Sequence, residues 1–249
     1  MLHDKGFQVF ILSYKRAGKI TSDKVFQNAY VVIPQSQEEE YRRYELANGC
    51  EYLVIPDEYD GNIARKRNWV LDNFKGQNIV LADDDYKKIG YIERGKDRYT
   101  MTPDEIDFMI QRGFIMCEDL GTKLWGINVT DDRKAYMQYT PFNLLSPVLG
   151  PFMAIVNDDD QLRFDERLWL KEDYDFSLQV MHKYRKVLRF NKYHYVVNHI
   201  TLDGGVVSQR TMEQEKAQGL LLQKKWGKHI VQLRETSINP IVKVPIAGA

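Results

Sequence analysis

Short apolar runs recur along the chain, and most of them do not alternate with polar residues. Phe7–Leu12, Ala29–Pro34, Glu51–Pro56 and Asn78–Ala82 are of strand length and rich in Val, Ile and Leu. Such runs read as strands buried on both faces of a parallel sheet. Helical patterns separate them. Ser36 with Glu39 and Glu40 predicts a helix to about Ala47, closed by Gly49. After Gly61 or Asn62 as cap, Ile63, Val70, Leu71 and Phe74 recur at helical spacing, giving an amphipathic helix with one face on the sheet. Strands and helices in this alternation imply right-handed βαβ units. Further on, Thr102–Glu105 caps a helix to about Arg112. Trp125–Val129 and Phe152–Val156 read as strands around an irregular 130–150 stretch whose length suits a functional loop or lid. Phe176, Val180, Met181 and Tyr184 keep a helical period, Tyr195–Ile200 reads as a strand, and Met212, Leu220, Leu221 and Trp226 mark a helix over 211–226. Residues from 237 onward read as an extended tail.

The run Asn78–Ala82 ends abruptly in Asp83, Asp84 and Asp85. In an open α/β sheet, ligands bind outside the carboxyl ends of the strands, so three acids stand where a ligand would sit. Alternation along an extended backbone puts Asp83 and Asp85 on one side and Asp84 on the other. Clustered carboxylates repel unless something positive satisfies them, and a hard divalent cation does so well. A second acidic group, Glu172 and Asp173, falls at the start of the helix that carries Phe176. The helix dipole stabilises ionised acids there, and one of the two could equally serve as a general base opposite the first cluster. Arg65 falls in the first turn of the helix after Gly61, where backbone N–H groups already favour an anion. His199 sits in a strand, as a core histidine or an imidazole ligand. Gly204 and Gly205 after it permit close backbone approach to a ligand.

Composition narrows the picture. The chain has 249 residues, with 35 Lys+Arg against 35 Asp+Glu, so a polyanion would have to be held by a local patch. The runs 86–98 and 183–192 are basic, and in the first, basic residues interleave with tyrosines, which suits a nucleic-acid strand, although a solvated hairpin more often explains such a run. Two widely separated cysteines, Cys50 and Cys117, suit a reducing compartment rather than a disulfide framework. No apolar stretch approaches the ~20 residues of a membrane span, and the N-terminus lacks a signal-peptide apolar region. The expectation is a cytoplasmic protein, monomeric or homodimeric, without membrane contact.

The ordered set is more specific than any member: a first strand followed by Ser13, Tyr14, Lys15 and Arg16, then Arg65, Asp83–Asp85, Glu172–Asp173, and His199 before Gly204–Gly205. Over residues 7–205 it resembles the GT-A class of nucleotide-sugar glycosyltransferases, with the acidic triplet as its "DxD" and the later pair as its "xED". Within that class it is most similar to the TET-associated glycosyltransferases of phages, thought to modify hydroxymethylated pyrimidines in DNA. The resemblance implies a Rossmann-like, mostly parallel α/β sheet flanked by helices. It implies one catalytic domain over 1–236, with a nucleotide-binding half to about residue 90, an acceptor half beyond it, and a tail over 237–249. A UDP-sugar donor, Mn²⁺ or Mg²⁺, and a DNA acceptor are implied with it. By the same resemblance Asp83 touches the donor ribose, and Asp85 binds the cation with Asp83 and His199. Ser13, Tyr14, Arg16, Arg65, Asp84, Gly204 and Gly205 hold the nucleotide sugar, and Asp173 or Glu172 is the base. The competing classes are a GT-A enzyme acting on glycan or protein and a non-catalytic binding module. A nucleotidyltransferase of similar fold would need a Gly-rich loop after the first strand, which Ser13–Gly18 is not.

Overall fold

The computed structural model describes residues 5–93, 97–132, 136, 139–198, 211–234 and 237–246. In chain order its elements are β1 (Gln8–Leu12), β2 (Tyr30–Pro34), α1 (Glu38–Tyr41), β3 (Glu51–Ile55), α2 (Ile63–Asn73), β4 (Gln77–Asp83), β5 (Tyr86–Glu93) and β6 (Asp97–Thr100). There follow α3 (Pro103–Leu120), β7 (Leu124–Asn128), β8 (Phe142–Asn143), β9 (Phe152–Asn157), α4 (Glu172–Tyr184), β10 (Leu188–Val197), α5 (Met212–Trp226), β11 (Val231–Arg234) and β12 (Ser237–Val242).

Among the described residues a 10-stranded sheet runs β3-β2-β1-β4-β9-β7-β10-β5-β6, with β8 alongside β10. The first four strands are parallel neighbours. Beyond them β9 lies antiparallel between β4 and β7, β10 runs parallel to β7, and the β5–β6 hairpin closes the edge antiparallel to β10. The apolar runs make this pattern necessary, since Val31, Val32, Ile33, Ile79, Val80 and Leu81 are all fully buried and need cover on both faces. One core, with Trp125, Phe114 and Ile110, lies under α3; the other, with Leu71, Phe164, Phe176 and Met181, lies under α2 and α4.

Chain order reverses beside β1: β2 and β3 go to one side and β4 returns on the other. Such a switch point opens a crevice at the strands' carboxyl ends. Asn62 caps α2, its side chain accepting from Ala64 N and Arg65 N. Thr102 and Glu105 form a capping box on α3.

Several elements differ from the sequence expectation. The helix after Ser36 shrinks to a 3₁₀ turn and the single turn of α1, because Ser36 N donates to Asp57 and the segment is tied to the next loop. Helix α3 runs past Arg112 to Leu120, because Gly113 serves packing and not termination. A Cβ there would lie 2.3 Å from the Trp125 ring, whereas Gly121, at φ 62°, makes the actual left-handed cap. Strand β10 begins at Leu188, inside the basic run. On α5, Met212 and Leu220 are exposed, and Glu215, Gly219 and Leu222 face inward. The tail is extended over β12, which pairs with β11, and Val242, Val244 and Ile246 pack on the second core.

Candidate active site

The crevice at the ends of β1 and β4 is lined by Ser13, Tyr14, Arg16, Asp60, Lys66, Arg67, Asp83, Asp84, Asp85, Gly150, Pro151, Glu172 and Asp173, among others. The two acidic groups, far apart in sequence, therefore meet in one cleft.

The strand-end aspartates are held by their backbone. Asp84 O accepts from Thr21 N at 3.0 Å, and Ser22 Oγ donates to Asp83 O at 2.7 Å while accepting from Tyr86 N. Asn198 N donates to Asp85 O at 3.0 Å, which brings the end of β10 to the triplet. The three side chains have different surroundings. Asp84 is buried, accepting from Ser13 Oγ at 2.6 Å and pairing with Arg16. Arg16 also stands 3.5 Å from Asp85 Oδ2, while Asp85 Oδ1 is buried without a hydrogen-bond partner. Asp83 is half-buried, and desolvation pushes its carboxyl up to about 7, against the pull of Arg67 and Arg16.

Opposite them the first turn of α4 presents the second group. Glu172 is buried and paired with Arg67 at 2.9 Å. Arg67 alone would hold this carboxyl down, but burial outweighs it, with the Asp173 and Asp83 charges in support, and raises it to about 8. Asp173 is half-buried and open to the cleft, with Oδ2 accepting from Gly150 N at 2.8 Å and Oδ1 from Tyr174 N at 2.7 Å. The Gly150–Pro151 segment ties both groups. Arg67 donates to Gly150 O at 2.9 Å, Tyr86 OH donates to Pro151 O, and Asp83 N donates to the same carbonyl at 3.3 Å. A Cβ at Gly150 would stand 3.2 Å from Arg67 Nη2 and 3.3 Å from Asp173 Oδ2, so glycine leaves room for both contacts.

Most of the residues expected at the site border this cleft, and one does not. Ser13, Tyr14, Arg16, Asp83, Asp84, Asp85, Glu172 and Asp173 all line the cleft. Arg65 does not: its guanidinium bonds Glu166 at 3.0 Å and Glu58 O at 3.0 Å on the outer side of α2. The next two residues are the ones turned inward. Lys66 is buried, donates to Ser13 O at 2.7 Å and pairs with Asp60; Arg67 bridges Glu172 and Gly150. The signal was the apolar face of α2, since Ala64, Lys66, Arg67, Val70 and Leu71 are its buried positions and Arg65 falls outside them. The expected separation of Asp84 from its neighbours also fails, because the chain turns at Asp84 and all three carboxylates border the cleft. His199, Gly204 and Gly205 lie outside the described residues.

Six carboxylates of the lining (Asp60, Asp83, Asp84, Asp85, Glu172, Asp173) face three cationic side chains (Arg16, Lys66, Arg67). This acid excess, together with the unpartnered Asp85 Oδ1, fits a hard divalent cation bound by oxygen. Among the described residues, no group of three or more His, Cys, Asp or Glu side chains stands close enough together to hold a metal ion. The same residues contain no helix long and apolar enough to cross a membrane.

No curated protein sequence matches the chain. Among solved structures, that of residues 1–349 of S. aureus TarS is 14% identical with a TM-score of 0.43, covering 76% of this chain and 59% of that one. The same protein in complex with UDP is 14% identical with a TM-score of 0.45, covering 90% of this chain and 71% of that one. This chain thus spans about three-fifths of the first TarS chain. The sequence model described as TET-Associated Glycosyltransferase matches residues 7–205, which hold both acidic groups, Ser13–Arg16 and Arg67. The chain belongs to the TET-associated glycosyltransferase family.

Proposed function

We propose that the chain transfers a sugar from a UDP-sugar to a hydroxyl acceptor, the hydroxymethyl group of a modified pyrimidine in DNA. The observation that carries this reading is the meeting of Asp83–Asp85 with Glu172–Asp173 in one crevice at a sheet switch point. Ser13, Tyr14 and Arg16, which line the cleft, hold the nucleotide in this reading, with Asp83 and Asp84 toward the ribose and sugar. Lys66 and Arg67, inside the cleft where Arg65 was expected to hold the phosphates, balance the charge of Asp60 and Glu172. Asp85 and Asp83, with His199 as third ligand, would hold a divalent cation, which when bound neutralises charge developing on the leaving diphosphate.

Asp173 is the base. Its carboxylate is oriented by two backbone N–H donors and borders the cleft, whereas Glu172 is buried, committed to Arg67 and easily protonated near neutrality. In a single displacement the acceptor oxygen forms its bond to the anomeric carbon as its proton passes to Asp173. The bond from that carbon to the diphosphate oxygen breaks, and its electron pair leaves with UDP. A hydroxyl loses its proton with difficulty, so this assistance matters in the transition state. The basic, tyrosine-containing runs around residues 86–98 and 183–192 favour DNA over a neutral acceptor.

The test is UDP release from a panel of UDP-sugars with Mn²⁺, with and without hydroxymethylated DNA, for the wild type and Asp85→Ala. Release stimulated by modified DNA and lost in the variant is the expected result. Turnover indifferent to DNA would retain the enzyme and reject this acceptor in favour of a glycan or protein. Absence of both turnover and UDP-sugar binding would leave a non-catalytic module.

A further inference from the structure

Helix α5 lies beyond residue 205, where the family match ends, yet it grips the segment that carries Glu172 and Asp173. Lys171 directly precedes the acid pair. Its ammonium, 1% exposed, donates to Glu215 Oε2 at 2.6 Å, on a carboxylate 2% exposed. One turn along α5, the Gln218 amide meets the backbone twice, accepting from Leu170 N at 3.4 Å and donating to Arg167 O at 3.0 Å. Near the end of the helix, Trp226 Nε1 donates to Asp175 Oδ1 at 2.7 Å, and Lys225 reaches both Asp165 and Asp175. The acids are thus held from α5 on both sides, at 167–171 and at 175.

The chemistry of the central contact is informative. Lys171 stands at the N-cap of α4, where the helix dipole disfavours a cation, and its side chain makes no capping bond. Burying two charges costs desolvation, and an apolar pair of similar volume usually stabilises a fold as well or better. A buried pair at this position therefore contributes little to stability. What it does fix is direction, since both ends are specified by a charge-assisted hydrogen bond.

We propose that α5 is a positioning element of the catalytic cleft. The Lys171–Glu215 pair, with Gln218, sets the first turn of α4 so that Asp173 faces the Asp83–Asp85 strand end. The proposal rests on the reading of Asp173 as base. Lys171, Glu215 and Gln218 do not border the reacting atoms; they act through the backbone of residues 170–173.

The experiment compares wild type with the apolar double variant Lys171→Met/Glu215→Leu, with Gln218→Ala, and with Asp173→Asn. Melting temperature, affinity for UDP, and kcat for transfer to the acceptor found in the UDP-release assay are measured on each. The double variant is expected to melt at or above the wild-type temperature and to bind UDP unchanged. Its kcat is expected to fall about tenfold or more, the size of effect a small misplacement of a catalytic group produces. Gln218→Ala, at a half-exposed position, is expected to show a smaller fall of the same kind, and it decides the matter if the double variant does not fold. Wild-type kcat in these variants, with Asp173→Asn inactive, would overturn the positioning role and leave the base assignment intact. A fall in UDP affinity and melting temperature in step with kcat would reduce the contacts to general stability and also overturn it. A fully active Asp173→Asn would remove the base assignment and the proposal with it.

Discussion

Arg65, Lys66 and Arg67 are three consecutive cations with three different fates. A helix advances 100° per residue, so three consecutive side chains cannot all share one face: Lys66 and Arg67 turn inward and Arg65 does not. Arg65 lands outside and forms a half-exposed pair with Glu166; removing it as Arg65→Ala should change unfolding free energy by no more than about 0.5 kcal/mol. Donor affinity should be unaffected. Arg67 lands inside, and Arg67→Met leaves Glu172 in the core without its partner. Truncating one member of a buried pair typically costs about 3–5 kcal/mol, so denaturant unfolding should reveal a large loss. Part of that cost is relieved where Glu172 can take up a proton, and the loss should be smaller at pH 6 than at pH 9. The residue types needed at the site were legible as a chain of Asp, Glu, Ser and Arg. Helical phase around Arg65 was readable too, from Val70 and Leu71, but a basic residue in a buried stripe conflicts with ordinary patterning. Only the partner carboxylates, distant in sequence, resolve that conflict.

At the scale of elements, strands were the most legible, because doubly covered strands leave uninterrupted Val/Ile/Leu runs. The capping signals of α2 and α3 were equally plain. Asn62→Ala removes two capping acceptances and should cost about 1 kcal/mol, measured as a shift in the denaturation midpoint at constant slope. Helix ends were harder to read. Gly113 resembles a stop and is instead a contact surface for Trp125, a fact that belongs to packing across the sheet. The 130–150 stretch carried no periodicity, so nothing in it announced that its end, Gly150–Pro151, would bind Tyr86 and three residues of the cleft. Gly150→Ala places a methyl group against Arg67 and Asp173. We expect kcat to fall about tenfold while UDP affinity is retained, because the intrusion disturbs Asp173, the proposed base, and not the residues proposed to hold the nucleotide. Equal losses in both would show the loop to be part of the donor site.

Over the whole molecule, the buried acids make stability depend on pH in an unusual direction. Glu172 is raised to about 8 and Asp83 to about 7 in the fold, against ordinary values near 4. Between those limits the folded state holds more protons at these two sites than the unfolded one, so their contribution to stability falls as pH rises from about 4.5 to 8 and levels off above, while buried His194, held down by desolvation, opposes it only in the lower part of that window. Thermal unfolding in chelator should therefore give a higher midpoint at pH 6 than at pH 8.5, and Glu172→Gln should flatten that slope. A midpoint that rises with pH in the wild type would show that Arg67 keeps Glu172 ionised. The parallel arrangement of β1 to β4 was visible as βαβ order in the first part of the chain. The antiparallel insertion of β9 between β4 and β7 was not, since strand order depends on pairings that a linear pattern does not encode.

The Gly150–Pro151 peptide unites the two acidic groups through Arg67, Tyr86, Asp83 and Asp173. Two carboxylate clusters nearly ninety positions apart thereby share one gauge, a peptide whose hydrogen bonds span the opening between them. Such a gauge cannot be widened for a bulkier acceptor without loosening the donor side as well. Relatives that serve different acceptors should therefore keep this gauge and differ along its rim, at Trp169 and Leu170, where side chains border the cleft without holding it together.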